Sequence, residues 1–137
     1  MRIKTDFVTN SSSTCFIVMT KGEFTLGKFL NAAGIDKNSP FMDMFKEIFK
    51  LFKDDLNPAR SFAATHRWNH GRSFEQFICE VFSEKTLQRV KEAEDAGMTV
   101  YMGDLHSDND ALECFLCTDC FVIDGPGLVI DATNDGW

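Results

Sequence analysis

The sequence predicts an α+β fold, in which four to five helices pack mainly on one face of a largely antiparallel sheet of about five strands. Short runs of β-branched and aromatic residues lie near both ends of the chain, and helical periodicity fills the segment between them. The last two runs flank Gly-Pro-Gly, a turn sequence typical of a hairpin. A length of 137 residues without repeat or linker indicates one domain, residues 1–137.

The first two strands are predicted at 3–8 (IKTDFV) and 14–20 (TCFIVMT), with the polar turn sequence TNSSS between them. This N-terminus resembles a DFVTNSSS-type motif that opens a set of uncharacterised bacterial proteins, to which no activity is assigned. The resemblance covers residues 6–13 and 16–17, whereas Thr14 and Cys15 depart from the serine run of the motif. It therefore implies a bacterial context and no particular reaction.

Capping residues, prolines at the first helical position and terminal glycines divide the middle of the chain into helices. The predicted helices cover residues 26–33, 41 to about 54, about 58–70 and 74 to about 82. Ser73 and Gln76 form a capping box for the last of these. Ser83 either caps a further helix or lies inside one long bent helix that ends at Gly97.

The final third of the chain contains the other strand signals, at 98–103, 120–124 and 128–132. The last two runs are apolar at consecutive positions, so we expect both faces of these strands to be covered. Asp110 and Glu113 have the spacing of a capping box, which predicts a short helix at about 111–118.

The helix at 41–54 carries a band of Phe, Met, Ile and Leu that is wider than one core-facing stripe. Either the helix is buried on two sides, or one side is a binding face for a partner. Homo-oligomerisation through the Phe41–Phe52 helix is one form of the second interpretation.

Charged side chains are unevenly divided along the sequence. Residues 1–91 carry fourteen basic and ten acidic side chains, whereas residues 92–137 carry eleven acidic ones and neither lysine nor arginine. This balance argues against direct nucleic-acid binding, which needs a basic face. It favours an acidic surface, at residues 92–135, that binds a basic protein partner. The candidate partner-binding residues are Asp104, Asp108, Asp110, Glu113 and Asp119.

The first functional hypothesis is therefore a non-enzymatic binding or regulatory protein. One specific form is an inhibitor, carried by a phage or another mobile element, that acts on a nucleic-acid-binding protein. The other interpretation is that the acidic residues form a solvated face that keeps the protein soluble.

A second hypothesis is a metal site, with zinc as the candidate ion. The cysteines of a C-x₂-C-x₂-C run, together with a nearby histidine, supply the donor atoms that zinc prefers. The candidate ligands are His106, Cys114, Cys117 and Cys120, and Cys79 or Cys15 are other sources of a fourth ligand. The run lacks the fourth thiolate of a ferredoxin cluster, and the acids beside it lack the spacing of an EF-hand.

Both metal patterns also have a structural interpretation. The three clustered cysteines lie among apolar residues, where thiols act as small hydrophobic side chains. His66 and His70 have a spacing that permits zinc ligation, but Arg67 replaces the glutamate of HExxH. The structural interpretation is the surface end of a helix, where cationic side chains are favourable, and a further alternative is an anion site built from Arg60, Arg67 and Arg72.

A third hypothesis is a hydrolase-like enzyme that uses the Ser11–Ser13 loop with a histidine. The sequence contains no GxSxG, P-loop or GxGxxG motif. Cys15 lies in an apolar strand, where a thiol is expected to be inert. The sequence therefore favours a function without catalysis and assigns no catalytic residue.

The N-terminus lacks the apolar segment of a signal peptide, and no run of residues is long and apolar enough for a membrane span. Five cysteines, an odd number, are compatible with reduced thiols. The expected location is the cytoplasm, without a membrane partner.

Overall fold

The computed structural model of the chain describes residues 13–66, 71–106 and 121–133. Within these ranges the chain forms five strands and five helices. The strands are β1 (Ser13–Thr20), β2 (Asn57–Pro58), β3 (Thr99–His106), β4 (Phe121–Gly125) and β5 (Leu128–Ala132). The helices are α1 (Leu26–Ala33), α2 (Met42–Asp54), α3 (Ala59–Thr65), α4 (Phe74–Val81) and α5 (Glu84–Asp95).

The described strands form one antiparallel sheet in the order β2-β3-β1-β5-β4. This arrangement confirms the predicted α+β class and the five-stranded antiparallel sheet. The strand predicted at 3–8 lies outside the described residues. The fifth strand of the observed sheet is instead the two-residue β2, which places Pro58 at a sheet edge, where a missing N–H is tolerated.

Helices cover both faces of the sheet, a more even distribution than the predicted packing mainly on one face. Cys15, Ile17 and Met19 of β1 pack in a cluster with residues of α3, α4 and α5. Phe16 and Val18, which point to the opposite face, pack in a second cluster with residues of α1 and α2. The sequence of β1 explains why helices lie on both faces. Its uninterrupted apolar run, from Cys15 to Met19, needs cover on both sides.

Local sequence signals correctly predicted the positions of most of the described helices. α1 has the predicted bounds, and the capping box of Ser73 and Gln76 is present at the start of α4. Ser83 accepts a hydrogen bond from the backbone N–H of Thr86 and begins α5, so the segment is two helices rather than one. Asn57-Pro58 pairs with β3 before α3 begins, and the short helix predicted at about 111–118 lies outside the described residues.

The predicted C-terminal hairpin is formed by β4 and β5. Its turn places Pro126 before Gly127, which has a φ of 74°. This left-handed conformation is the one that the third residue of a type II turn requires. Gly125 lies against α1, where a side chain would come within 2.6 Å of the Cα atom of Ala32.

α2 combines a buried side with exposed apolar residues. Ile48 and Phe52 are buried, whereas Phe41 is 57% exposed and Met44 is 42% exposed. Homo-oligomerisation through this helix stays a prediction. Among the helices of the described ranges, none is long and apolar enough to cross a membrane.

Candidate functional site

The candidate site begins with a cross-strand pair in the middle of the sheet. Cys15 of β1 lies opposite Asp104 of β3. The backbone N–H of Asp104 donates a hydrogen bond, 2.7 Å long, to the Oδ2 atom of Asp55 and therefore points away from β1. In an antiparallel ladder this direction marks a non-hydrogen-bonded pair, in which opposing side chains lie closest together.

α3 brings a histidine to the same face. Ala59 and Ala63 pack this short helix against the sheet, and His66 follows its last turn in an extended conformation. The imidazole packs against two phenylalanine rings, and its centroid lies 5.0 Å from that of Phe62 and 5.6 Å from that of Phe77. Packing against these two phenyl rings restricts the direction in which the imidazole points.

The three side chains converge on one point. The Cys15 thiol donates a hydrogen bond, 3.1 Å long, to Oδ1 of Asp104. The Nε2 atom of His66 lies 3.1 Å from Oδ2 and 3.3 Å from Oδ1 of the same carboxylate. The Sγ atom of Cys15 lies 3.7 Å from that Nε2 atom. One sulfur, one nitrogen and one carboxylate thus form a triangle with sides of 3.1 to 3.7 Å.

The site is almost closed to solvent. Cys15 is fully buried, and the side chains of His66 and Asp104 are 4% and 13% exposed. A carboxylate in such a place must be compensated by hydrogen bonds or by a positive charge. Its residual exposure makes Asp104 the side from which an ion or a solvent molecule can approach.

A cysteine, a histidine and an aspartate are also the residue types of a nucleophilic triad. In such a triad the imidazole contacts the nucleophile through one nitrogen and the carboxylate through the other. Here Nε2 of His66 faces both Cys15 and Asp104, so the proton path of a triad is not formed. The full burial of Cys15 also blocks a substrate from reaching its sulfur.

The same triangle fits a tetrahedral metal ion. Tetrahedral zinc has bonds of about 2.3 Å to sulfur and about 2.0–2.2 Å to nitrogen or oxygen, which hold sulfur about 3.6 Å from the other ligand atoms and nitrogen about 3.4 Å from oxygen. With Oδ1 as the ligand atom of Asp104, the observed separations are 3.7 Å between sulfur and nitrogen, 3.1 Å between sulfur and oxygen and 3.3 Å between nitrogen and oxygen. Each therefore departs from the expected value by no more than about 0.5 Å.

The turn between α2 and β2, together with Asn57 that follows it, forms hydrogen bonds with β3 next to the site. Besides the bond from Asp104 to Asp55, the side-chain amide of Asn57 donates to the carbonyl oxygens of Asp55 and Met102. At Gly103, a Cβ atom would lie 2.2 Å from the carbonyl oxygen of Asp55. A glycine at this position therefore allows the turn to lie against β3. In this position the Asp55 side chain of the turn accepts the hydrogen bond that holds Asp104 in place.

Of the alternative metal ligands, Cys15 and His66 lie in the site, and Cys79 lies in α4. Of the five candidate partner-binding residues and the predicted ligands His106, Cys114, Cys117 and Cys120, Asp104 is the one whose side chain the structure describes. It faces Cys15 and His66 in the site, and His106 ends β3 in register with Ser13. The others lie outside the described residues, namely Asp108, Asp110, Glu113, Asp119, Cys114, Cys117 and Cys120. Ser11 and Ser12 of the serine loop also lie outside them.

Internal contacts account for part of the predicted acidic surface. Glu94 lies 3.0 Å from Arg60, and Asp131, which is fully buried, lies 2.9 Å from Arg89. Together with Asp104, these are half of the described carboxylates between residues 92 and 133. The acidic surface as a whole stays a prediction.

Neither a protein-family model, nor a curated protein, nor a solved structure matches the chain.

Proposed function

We propose that this protein binds one zinc ion through Cys15, His66 and Asp104. The observation that carries the proposal is the convergence of a sulfur, a nitrogen and a carboxylate at separations close to those of tetrahedral ligands. The ligands come from β1, β3 and the end of α3, so the ion would tie a helix to the centre of the sheet.

Charge balance supports the same conclusion. Zinc ligands bind without their protons, so the site would hold a thiolate, a carboxylate and a neutral imidazole around a divalent cation. The sum of these charges is zero. A neutral complex suits side chains that are between 0% and 13% exposed, because an unbalanced charge in such a place is costly.

The donor set favours zinc over other ions. Calcium and magnesium take oxygen ligands, whereas zinc commonly binds all three of the donor types present. Copper(I) and iron clusters select sites richer in sulfur. Three ligands are supplied by the described part of the chain, and a tetrahedral ion takes its fourth ligand from a further side chain, from water or from an external ligand.

Protons compete with zinc for these side chains. The Cys15 thiol donates to Asp104, and Nε2 of His66 lies within hydrogen-bond distance of the same carboxylate. Zinc must displace the protons between these groups, so binding releases protons and weakens as the pH falls. Because zinc binds the folded chain, it also raises the free energy of unfolding, by about 2.7 kcal/mol at a free zinc concentration of 100 times the dissociation constant.

A competition titration tests the proposal. The protein, reduced and stripped of metal, is titrated with zinc in the presence of a chromophoric chelator. The expected result is one equivalent of tightly bound zinc, with affinity lowered about tenfold or more by Asp104→Asn, a change that preserves size but removes the charged ligand. Asp124→Asn, at an exposed position of β4, is the matched control and should bind as the wild type does. Equal affinities of all three proteins would overturn the proposal.

A further inference from the structure

A cleft lies beside α5, next to the part of the sheet that this helix does not cover. Met19, Val129 and Asp124 are cross-strand neighbours in one row on the face that α5 covers. α5 extends over Met19, but β4 lies beyond it, so Asp124 is exposed and Val122, on the same face, is 37% exposed. The resulting space, here called the α5–β4 cleft, has a volume of about 350 Å³. Its lining residues are Met19, Arg89, Glu92, Ala93, Met98, Asp124 and Val129.

The rim of the cleft carries two uncompensated negative charges. The positive charge of Arg89 is matched by Asp131, whose carboxylate lies 2.9 Å away. Glu92 and Asp124 are both exposed, and neither forms an ion pair within the described ranges. The cleft therefore attracts cations, in agreement with the excess of carboxylates in residues 92–137.

The floor of the α5–β4 cleft is apolar, and its methionine side chains can change shape. Met19, Met98 and Val129 present thioether and methyl groups, and methionine adapts its shape to what it contacts. An apolar floor below an acidic rim matches a long aliphatic stem that ends in a positive charge, which is the form of arginine and lysine. The volume lies near the lower end of the range for ligand pockets and suits one such side chain.

We infer that the α5–β4 cleft receives an arginine or lysine side chain from a basic segment of a partner protein. The stem lies on the methionines, and the cationic group lies between Glu92 and Asp124. Charge complementarity of this kind orients and accelerates encounter more than it increases affinity, so a single side chain binds weakly. The inference does not depend on zinc, because none of the three proposed ligands lines the cleft.

Methionine methyl NMR tests the cleft directly. The probe is a short, N-acetylated and C-amidated peptide with one central arginine, and its matched control carries citrulline, which has the same shape without the charge. The arginine peptide should produce saturable shifts of the Met19 and Met98 methyl signals and leave exposed Met44 of α2 unchanged. The shifts should weaken severalfold between about 20 mM and about 300 mM salt.

Substitutions on the rim give the second arm of the test. The double variant Glu92→Gln/Asp124→Asn should weaken arginine-peptide binding about fivefold or more. The control double variant Asp43→Asn/Glu47→Gln removes two exposed acids from α2 and should bind as the wild type does. Equal binding of the citrulline peptide, unchanged binding by the rim variant, or shifts confined to Met44 would each overturn the inference.

Discussion

Replacing Asp131 with asparagine is expected to lower the free energy of unfolding by about 3 kcal/mol. The carboxylate of Asp131 is fully buried and accepts hydrogen bonds from four donors. The hydroxyl of Thr86 and the guanidinium of Arg89 each donate to Oδ2 at 2.9 Å. The backbone N–H and the hydroxyl of Thr133 donate to Oδ1 at 3.0 and 2.5 Å. The hydrogen bonds from Thr86 and Arg89 connect α5 to β5.

The magnitude follows from what asparagine leaves behind. Its single oxygen replaces one carboxylate oxygen, while its NH₂ group must face donors where the other oxygen stood. Breaking a buried ion pair by removing one partner costs about 3–5 kcal/mol, and the lower value applies because Arg89 is 30% exposed and can regain solvent. For a chain of 137 residues the entropy of unfolding is about 0.3 kcal/mol/K, so the melting temperature should fall by about 10 °C.

Chemical and thermal denaturation followed by circular dichroism measures this change. Asp124→Asn, the same substitution at an exposed position of the neighbouring β4 strand, is the control and should alter stability by no more than about 0.5 kcal/mol. A double-mutant cycle with Arg89→Met isolates the ion pair. A loss below about 1 kcal/mol for Asp131→Asn would refute the reasoning, since the buried carboxylate would then contribute no more than an exposed one.

Three further predictions concern the site and the helix caps. Asp55→Ala leaves the N–H of Asp104 without its acceptor and should weaken zinc binding about tenfold in the chelator titration, whereas Asp54→Ala, at an exposed neighbour, should not. Zinc affinity should fall about tenfold or more between pH 7 and pH 5, because protons compete for the ligands; a flat pH profile would contradict this. Ser73→Ala removes the capping box of α4 and should lower stability by about 1 kcal/mol in urea denaturation, and an unchanged midpoint would show that the cap contributes nothing.

Local sequence signals predicted the elements that depend on local chemistry. Thr25 and Gly34 bound α1, and Pro126-Gly127 forms the turn of the hairpin, because caps and turns act over a few residues. The distribution of helices between the two faces was harder to predict. It depends on which helix packs on which side of β1, and the apolar run from Cys15 to Met19 shows that both sides are covered without showing by what.

The site itself could not be assembled from the sequence. Cys15 is 51 residues from His66 and 89 residues from Asp104, and strand register and the direction of α3 alone bring them together. Each residue carried a separate signal. The sequence pairs His66 with His70, at a spacing that permits zinc ligation. It offers Cys15 only as a fourth ligand for the three clustered cysteines. The predicted strand ends at residue 103, so the sequence assigns Asp104 to an acidic surface, whereas β3 continues to His106 and carries Asp104 within the sheet.

X-ray absorption at the zinc edge, on protein loaded with one equivalent of zinc, tests the central claim most directly. The Cys15, His66 and Asp104 site predicts one sulfur at about 2.3 Å, with the remaining neighbours being nitrogen or oxygen at about 2.0 Å. Three sulfur neighbours would place the ion on Cys114, Cys117 and Cys120 instead. That spectrum, or a protein that retains no zinc, would contradict the account.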